Sequence, residues 1–132
     1  MEASVKIKVP FYDLDPMQVV WHGNYIKYFE KARCALLEKI GLDYREMERL
    51  GYAFPVVKMS VKYISPSEFG QELSVSAKIV PSENFLHIKY IAKDFKSGEK
   101  ICSAETKQMC VNIKSKTSCF ELPAKIKERI LQ

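Results

Sequence analysis

Apolar and polar residues alternate in four separate runs along the chain. Val5, Ile7, Val9 and Phe11 alternate with Lys6, Lys8 and Pro10, which predicts a strand over residues 4–11 with one buried face. Val57, Met59, Val61 and Tyr63 alternate with Lys58, Ser60 and Lys62. Leu73, Val75, Ala77 and Ile79 do the same with Ser74, Ser76 and Lys78, and Leu86, Ile88, Tyr90 and Ala92 with His87, Lys89 and Lys93. A period of two marks a sheet buried mainly on one face. Pro66, Gly70, Pro81-Ser82-Glu83-Asn84 and Ser97-Gly98 separate the runs as turns. Residues 100–113 predict one more long strand with weaker alternation, and residues 115–119 show no clear pattern.

One stretch keeps a different period. Tyr25, Phe29, Ala32, Leu36 and Ile40 recur at spacings of three or four, the stripe of a buried helix face. Ile26, Tyr28 and Leu37 widen it, while Lys27, Glu30, Lys31, Glu38 and Lys39 take other positions. Asn24 suits the N-cap, and Gly41 suits a left-handed stop, so a helix is predicted over residues 24–41. Residues 43–50 predict a short second helix, and Leu122–Leu131 another after Pro123. A sheet with one apolar face must cover it, and the long helix is the one element able to do so. The expected class is therefore α+β, with a curved antiparallel sheet wrapped around one long central helix. Ile91 and Phe95 fall on the outer face of their strand, which suggests burial against another subunit.

The 132 residues amount to one domain, expected to span residues 1–132. With 47% hydrophobic and 28% charged residues, the composition is that of a soluble globular protein. No apolar run approaches the roughly 20 residues of a membrane span, and the N-terminus lacks the pattern of a signal peptide. A cytoplasmic protein with no membrane insertion is expected. Cys34, Cys102, Cys110 and Cys119 form no C-x-x-C pair, and they are read as reduced, mostly core thiols. The net charge of +5 serves solubility or a polyanionic ligand. The basic residues are scattered and no nucleic-acid motif is present, so no nucleic acid is expected. The two histidines and the cysteines have no metal-ligand spacing, so no metal is expected.

The chemistry concentrates in Asp13-Leu14-Asp15-Pro16-Met17-Gln18-Val19-Val20-Trp21-His22-Gly23-Asn24-Tyr25. A carboxylate here sits in a turn directly before a helix whose first amides lack intrahelical acceptors and carry partial positive charge. Such amides can hold the oxyanion that develops when a carbonyl is attacked, and the carboxylate can attack or activate a water. Acyl transfer needs both parts. An Asp before a helix is more often a cap or turn residue, a role that suits Asp13 equally. A His near a helix start is more often structural than catalytic. No G-x-S-x-G elbow and no P-loop are present.

This segment resembles the active-site motif of the 4-hydroxybenzoyl-CoA thioesterase family, Asp-x-Asp-x-x-x-x-Val-aromatic-x-x-Asn-Tyr. Asp13, Asp15, Val20, Trp21, Asn24 and Tyr25 match it in type and spacing. Tyr63-Ile64-Ser65-Pro66-Ser67-Glu68-Phe69-Gly70 is similar to the family's strand-end pattern, and Phe29-Glu30-Lys31-Ala32-Arg33 resembles the helix of its histidine-bearing bacterial branch. The resemblance implies a hotdog fold with a five- or six-stranded sheet, and a homodimer or homotetramer with active sites between subunits. It implies that Asp15 is catalytic, as nucleophile or general base. It further implies that the backbone N–H at His22 meets the thioester carbonyl, with the imidazole assisting. Gly23, Tyr25 and Trp21 are the expected substrate-binding residues. Some relatives carry a Tyr four positions before the catalytic Asp, where this chain has Phe11.

The expected function is hydrolysis of an acyl-CoA to free acid and coenzyme A, with no cofactor besides the coenzyme A of the substrate. Two rivals stand beside it. A hotdog acyl-thioester dehydratase would hydrate an enoyl-CoA without releasing thiol. A non-catalytic acyl-CoA-binding module would bind without turnover.

Overall fold

Pro10 supplies no backbone N–H, and it ends the first strand earlier than the alternation suggests. In the computed structural model, which describes residues 1–131, β1 runs over Glu2–Lys8. The chain then makes a 3₁₀ turn at Phe11–Asp13, leaving Phe11 67% exposed. The long helix α1 spans Asn24–Lys39, stopping just before Gly41, which takes the left-handed φ of +72°. The short helix α2, Tyr44–Leu50, is capped by the Asp43 side chain accepting from the Glu46 amide at 2.9 Å. Then come β2 (Tyr52–Ala53), β3 (Val56–Tyr63), β4 (Glu72–Val80), β5 (Phe85–Asp94) and β6 (Lys100–Met109). The expected long strand over 100–113 breaks at Cys110, and Val111–Asn112 forms β7. The unpatterned stretch 115–119 contains β8, Thr117–Ser118, and the last helix, α3, is Ala124–Ile130.

Five strands form one antiparallel sheet in the order β1-β4-β5-β6-β3, and β2-β7-β8 form a small second sheet. This is the hotdog arrangement. The helix α1 packs on β1, β4 and β5, placing its stripe of Tyr25, Phe29, Ala32, Leu36 and Ile40 against Leu73, Val75, Ala77, Leu86, Ile88 and Tyr90. All of these side chains are buried. Tyr28 and Leu37 widen the stripe as expected, but Ile26 is exposed, because it falls on the side of the helix away from the sheet. Arg33 is buried between helices and bonds Glu30 and the Tyr44 hydroxyl. Its partner carboxylate holds the guanidinium above its ordinary pKa despite the cost of burial.

Two elements depart from the simple pattern. In β3, Val57 and Tyr63 are half-exposed: the strand is an edge of the sheet, and α1 packs mainly on β1, β4 and β5 at the other side. All four cysteines are free thiols, but only Cys102 and Cys110 are buried. Burial pushes the Cys102 thiol up to about 11. Cys34 lies exposed on α1. Among the described residues, no helix is long and apolar enough to cross a membrane. Among the described residues, no cluster of His, Cys, Asp and Glu is arranged to hold a metal ion.

Candidate active site

The motif between β1 and α1 folds into a miniature hairpin. The Asp15 amide donates to the Val19 carbonyl at 2.8 Å and the Gln18 amide to the Asp15 carbonyl at 3.0 Å. Leu14 and Val20 bridge across the hairpin's base. Gln18 sits at φ +65° to close the turn, a conformation few non-glycine residues adopt. Pro16 presets the turn's first central dihedral. At the tip, Asp15 Oδ1 accepts from the Met17 amide at 2.8 Å. Asp15 Oδ2 has no protein donor among the described residues, so one oxygen orients the carboxylate and the other remains free.

Asp13 and Asp15 are two residues apart and do different work. Asp13 is buried; it accepts from the Tyr28 hydroxyl at 2.6 Å and from Lys27 Nζ at 3.0 Å. Its backbone carbonyl takes the Trp21 amide at 2.9 Å and the Asn24 side chain at 2.8 Å. Asp13 is therefore the clamp that fixes the hairpin to α1. Burial, with the same carboxylate beside it, holds the Tyr28 phenol far above its ordinary value.

Asn24 is not the N-cap. That position belongs to Gly23, which has no side chain to cap with, and the Asn24 side chain instead donates to the Asp13 carbonyl. The start of α1 therefore has no capping side chain. Among the described residues, neither the His22 nor the Gly23 backbone N–H finds a protein acceptor. Glycine is required at 23 for a steric reason: a Cβ there would overlap the Trp21 ring. The half-exposed indole folds back over this peptide and lies beside His22, with ring centroids 5.1 Å apart.

The hairpin tip and the end of β3 flank an open cavity of about 330 Å³, lined by Asp15, Val19, Val20, His22 and Tyr25 on one side. Tyr63, Ile64, Ser65 and Pro66 close the other side. Tyr25 is held by its hydroxyl donating to the buried Ser67 at 2.9 Å, and burial raises its phenol. The Tyr63 hydroxyl donates to the His22 carbonyl at 3.2 Å. The structure thus brings together Asp15, His22 and Tyr25 of the expected site residues. Gly23 and Trp21 do not line the cavity, and the half-exposed Trp21 indole lies beside His22. The second half of the cavity escaped sequence reasoning as a site, although the Tyr63–Gly70 stretch carried a recognisable pattern. That pattern marked the end of a strand and gave no sign of which distant loop it would face.

A long helix packed on one face of this antiparallel sheet defines a hotdog protein. Residues 9–131 match the model of the thioesterase-like superfamily, and the chain belongs to that family as a thioester hydrolase. YneP of Bacillus subtilis, a provisionally named acyl-CoA thioesterase, is 30% identical over 87% of this chain and 84% of its own. YbgC of Escherichia coli, an acyl-CoA thioester hydrolase, is 29% identical over 55% of this chain and 54% of its own. The crystal structure of a 1,4-dihydroxy-2-naphthoyl-CoA thioesterase from Synechocystis has the same fold, with a TM-score of 0.88 at 20% identity. It covers 100% of this chain and 97% of that one.

Proposed function

We propose that the protein is a cytoplasmic acyl-CoA thioesterase, of the histidine-bearing 4-hydroxybenzoyl-CoA thioesterase branch, with Asp15 as its catalytic carboxylate. The observation that carries this reading is the state of Asp15. One oxygen is tied to the Met17 amide, and the carboxylate lines a cavity beside a helix start with two unpaired amides. The family relationship to YneP and YbgC supports the acyl-CoA substrate.

As a general base, Asp15 takes a proton from water while the water oxygen attacks the thioester carbonyl carbon. The oxyanion gathers hydrogen bonds from the His22 and Gly23 amides, the C–S bond breaks, and the thiolate leaves as coenzyme A after taking up a proton. As a nucleophile, Asp15 instead forms a mixed anhydride and releases the thiol first; water then opens the anhydride. The His22 imidazole, at the cavity wall, assists the leaving group or the carbonyl. Neither route uses a metal or organic cofactor. The half-exposed apolar edge of β3, with Val56, Val57 and Tyr63, supports a homodimer as the minimum active unit, or a pair of such dimers. A second copy would cover that edge and close the cavity mouth against water.

The experiment is a hydrolysis panel over short, medium, long and aromatic acyl-CoAs with a thiol-reactive dye, run on the wild type and on Asp15→Asn. Turnover should fall at least ~100-fold in the variant. Wild-type turnover by Asp15→Asn on every active substrate refutes the assignment. Label on Asp15 after a single turnover in ¹⁸O-water establishes the nucleophilic route with water opening the anhydride at the Asp15 carbonyl, since the general-base route places the label in the released acid alone.

A further inference from the structure

Two of the four cysteines meet across a hairpin. Strands β7 and β8 pair antiparallel, with Val111 opposite Ser118 and Asn112 opposite Thr117. One step further along, the same register sets Cys110 opposite Cys119, and the Cys119 amide donates to the Cys110 carbonyl at 2.8 Å. Residues directly opposite in an antiparallel pair keep their Cα atoms roughly 4.5–5.5 Å apart and send their side chains to the same side. A disulfide needs a Cα separation of roughly 4.4–6.8 Å, so the backbone already has the spacing that a bond requires. Burial agrees with the shared side. Cys110 is wholly buried, and Cys119 packs against the same core while keeping partial access to solvent. The other two cysteines are placed differently: Cys102 stands opposite Ala92 and Tyr63 on its neighbouring strands, and Cys34 lies exposed on α1.

We propose that Cys110 and Cys119 form a reversible oxidation site, which closes to a disulfide when a hydroperoxide reaches Cys119. The inference is independent of the thioesterase reading, because neither residue lines the Asp15 cavity. Access and protonation assign the two roles. Burial first, and then the neighbouring Cys119 thiol, push the Cys110 thiol up to about 12. At neutral pH it stays protonated and is a poor first target. Cys119 is the one of the two that solvent reaches. Its thiolate attacks the outer peroxide oxygen, the O–O bond breaks, and the alkoxide leaves and takes up a proton, giving a sulfenic acid. The Cys110 sulfur then attacks the Cys119 sulfur, its proton joins the departing hydroxide, and water leaves as the S–S bond forms. Two thiols are thus oxidised by two electrons, and one hydroperoxide is reduced to an alcohol and water. A dithiol reductant reopens the bond by exchange, as befits a protein of the cytoplasm, where lasting disulfides are rare.

The bond would staple a lightly held segment. Strand β8 has two residues, both exposed, and it leads into α3. The segment is tied back through the Asn84 side chain to the Phe120 carbonyl, the Leu122 amide to the Glu83 carbonyl at 2.9 Å, and Lys127 to Glu83 at 2.5 Å. A link from Cys119 to the buried Cys110 fixes the start of this segment to the core and restricts the chain when it opens.

The test treats the full-length protein with hydrogen peroxide, alkylates the remaining thiols and digests without reduction. Trypsin cuts after Lys107, Lys114, Lys116 and Lys125, so the two cysteines leave on separate peptides, 108–114 and 117–125. The disulfide then appears as one species joining both, lost with dithiothreitol. It should dominate in the wild type and in Cys34→Ser and be absent from Cys119→Ser. In Cys110→Ala, dimedone should trap a sulfenic acid on Cys119. Native-state tryptic nicking within α3 should slow at least ~10-fold on oxidation of the wild type and stay unchanged in Cys119→Ser, which alters a partly exposed side chain and keeps the test independent of how Cys110→Ala folds. Peroxide that carries Cys119 to the sulfinic acid with no joined peptide overturns the proposal, as do disulfides to Cys34 or Cys102 in equal yield. Faster trapping on Cys110 in Cys119→Ser than on Cys119 in Cys110→Ala overturns the assigned order, and unchanged nicking after full oxidation overturns the staple.

Discussion

Strands β3 and β4 carry the same alternation and belong to the same sheet, yet they meet opposite fates. In β4, Leu73, Val75 and Ala77 have no solvent exposure at all, since α1 lies over them. In β3, Met59 and Val61 are only partly buried, and Val57 and Tyr63 stay about half-exposed. An alternating pattern says that one face is apolar; it does not say what covers that face. The covered strand supplies stability. The uncovered one supplies Tyr63 and leads into the 64–66 loop at the Asp15 cavity, so the candidate site sits where the fold is least finished.

The sharpest test of this contrast truncates one side chain on each side of it. Leu36→Ala, in the covered half, should cost about 2–5 kcal/mol in denaturant unfolding. Val57→Ala should leave the unfolding of a single chain nearly unchanged and weaken self-association instead, read by light scattering against the 15.2 kDa monomer mass. Equal losses of stability would show that β3 is covered within one chain.

Asp13→Asn probes the seam between the two regions. It keeps an acceptor but removes the charge that Lys27 and Tyr28 share, and it should lower stability by about 1–3 kcal/mol. Wild-type melting by this variant would remove Asp13 from its role as the clamp.

Tyr63→Phe deletes only the hydroxyl bonded to the His22 carbonyl. That carbonyl shares its peptide group with the Gly23 N–H. If the bond orients this peptide, kcat should fall by roughly fivefold, equivalent to about 1 kcal/mol, with KM and melting little changed. A change in KM alone would make Tyr63 a substrate-binding residue.

The smallest effect lies far from both regions. Arg49, then Arg129, hold the Glu46 carboxyl down to about 2, and Arg129 links α3 to α2. Because the folded pKa is depressed, the contribution is present above the unfolded pKa near 4.5 and is lost as pH falls toward 2. The exposed site makes it slight. Limited proteolysis of the C-terminal helix should rise below pH 4 in the wild type, and Glu46→Gln should show that sensitivity already at pH 7.

Much of this was legible in residue order, because the signals are local. A pleat sends neighbouring side chains to opposite faces, so the alternation predicted four of the five strands of the main sheet. The helical stripe predicted α1 to within two residues. The Asp13–Tyr25 motif pointed to a helix start with a carboxylate before it. Local signals also misled: Asn24 has the chemistry of a cap, and only the nearby Asp13 carbonyl shows that its side chain is already engaged. Three features had no local signal at all. The facing of Asp15 and Tyr63 joins residues 48 positions apart through the packing of two loops. The exposure of β3 depends on where α1 ends its reach across the sheet. The meeting of Cys110 and Cys119 depends on register between β7 and β8, since spacing along the chain sets which side a residue takes and only the ladder of hydrogen bonds sets which residues become neighbours.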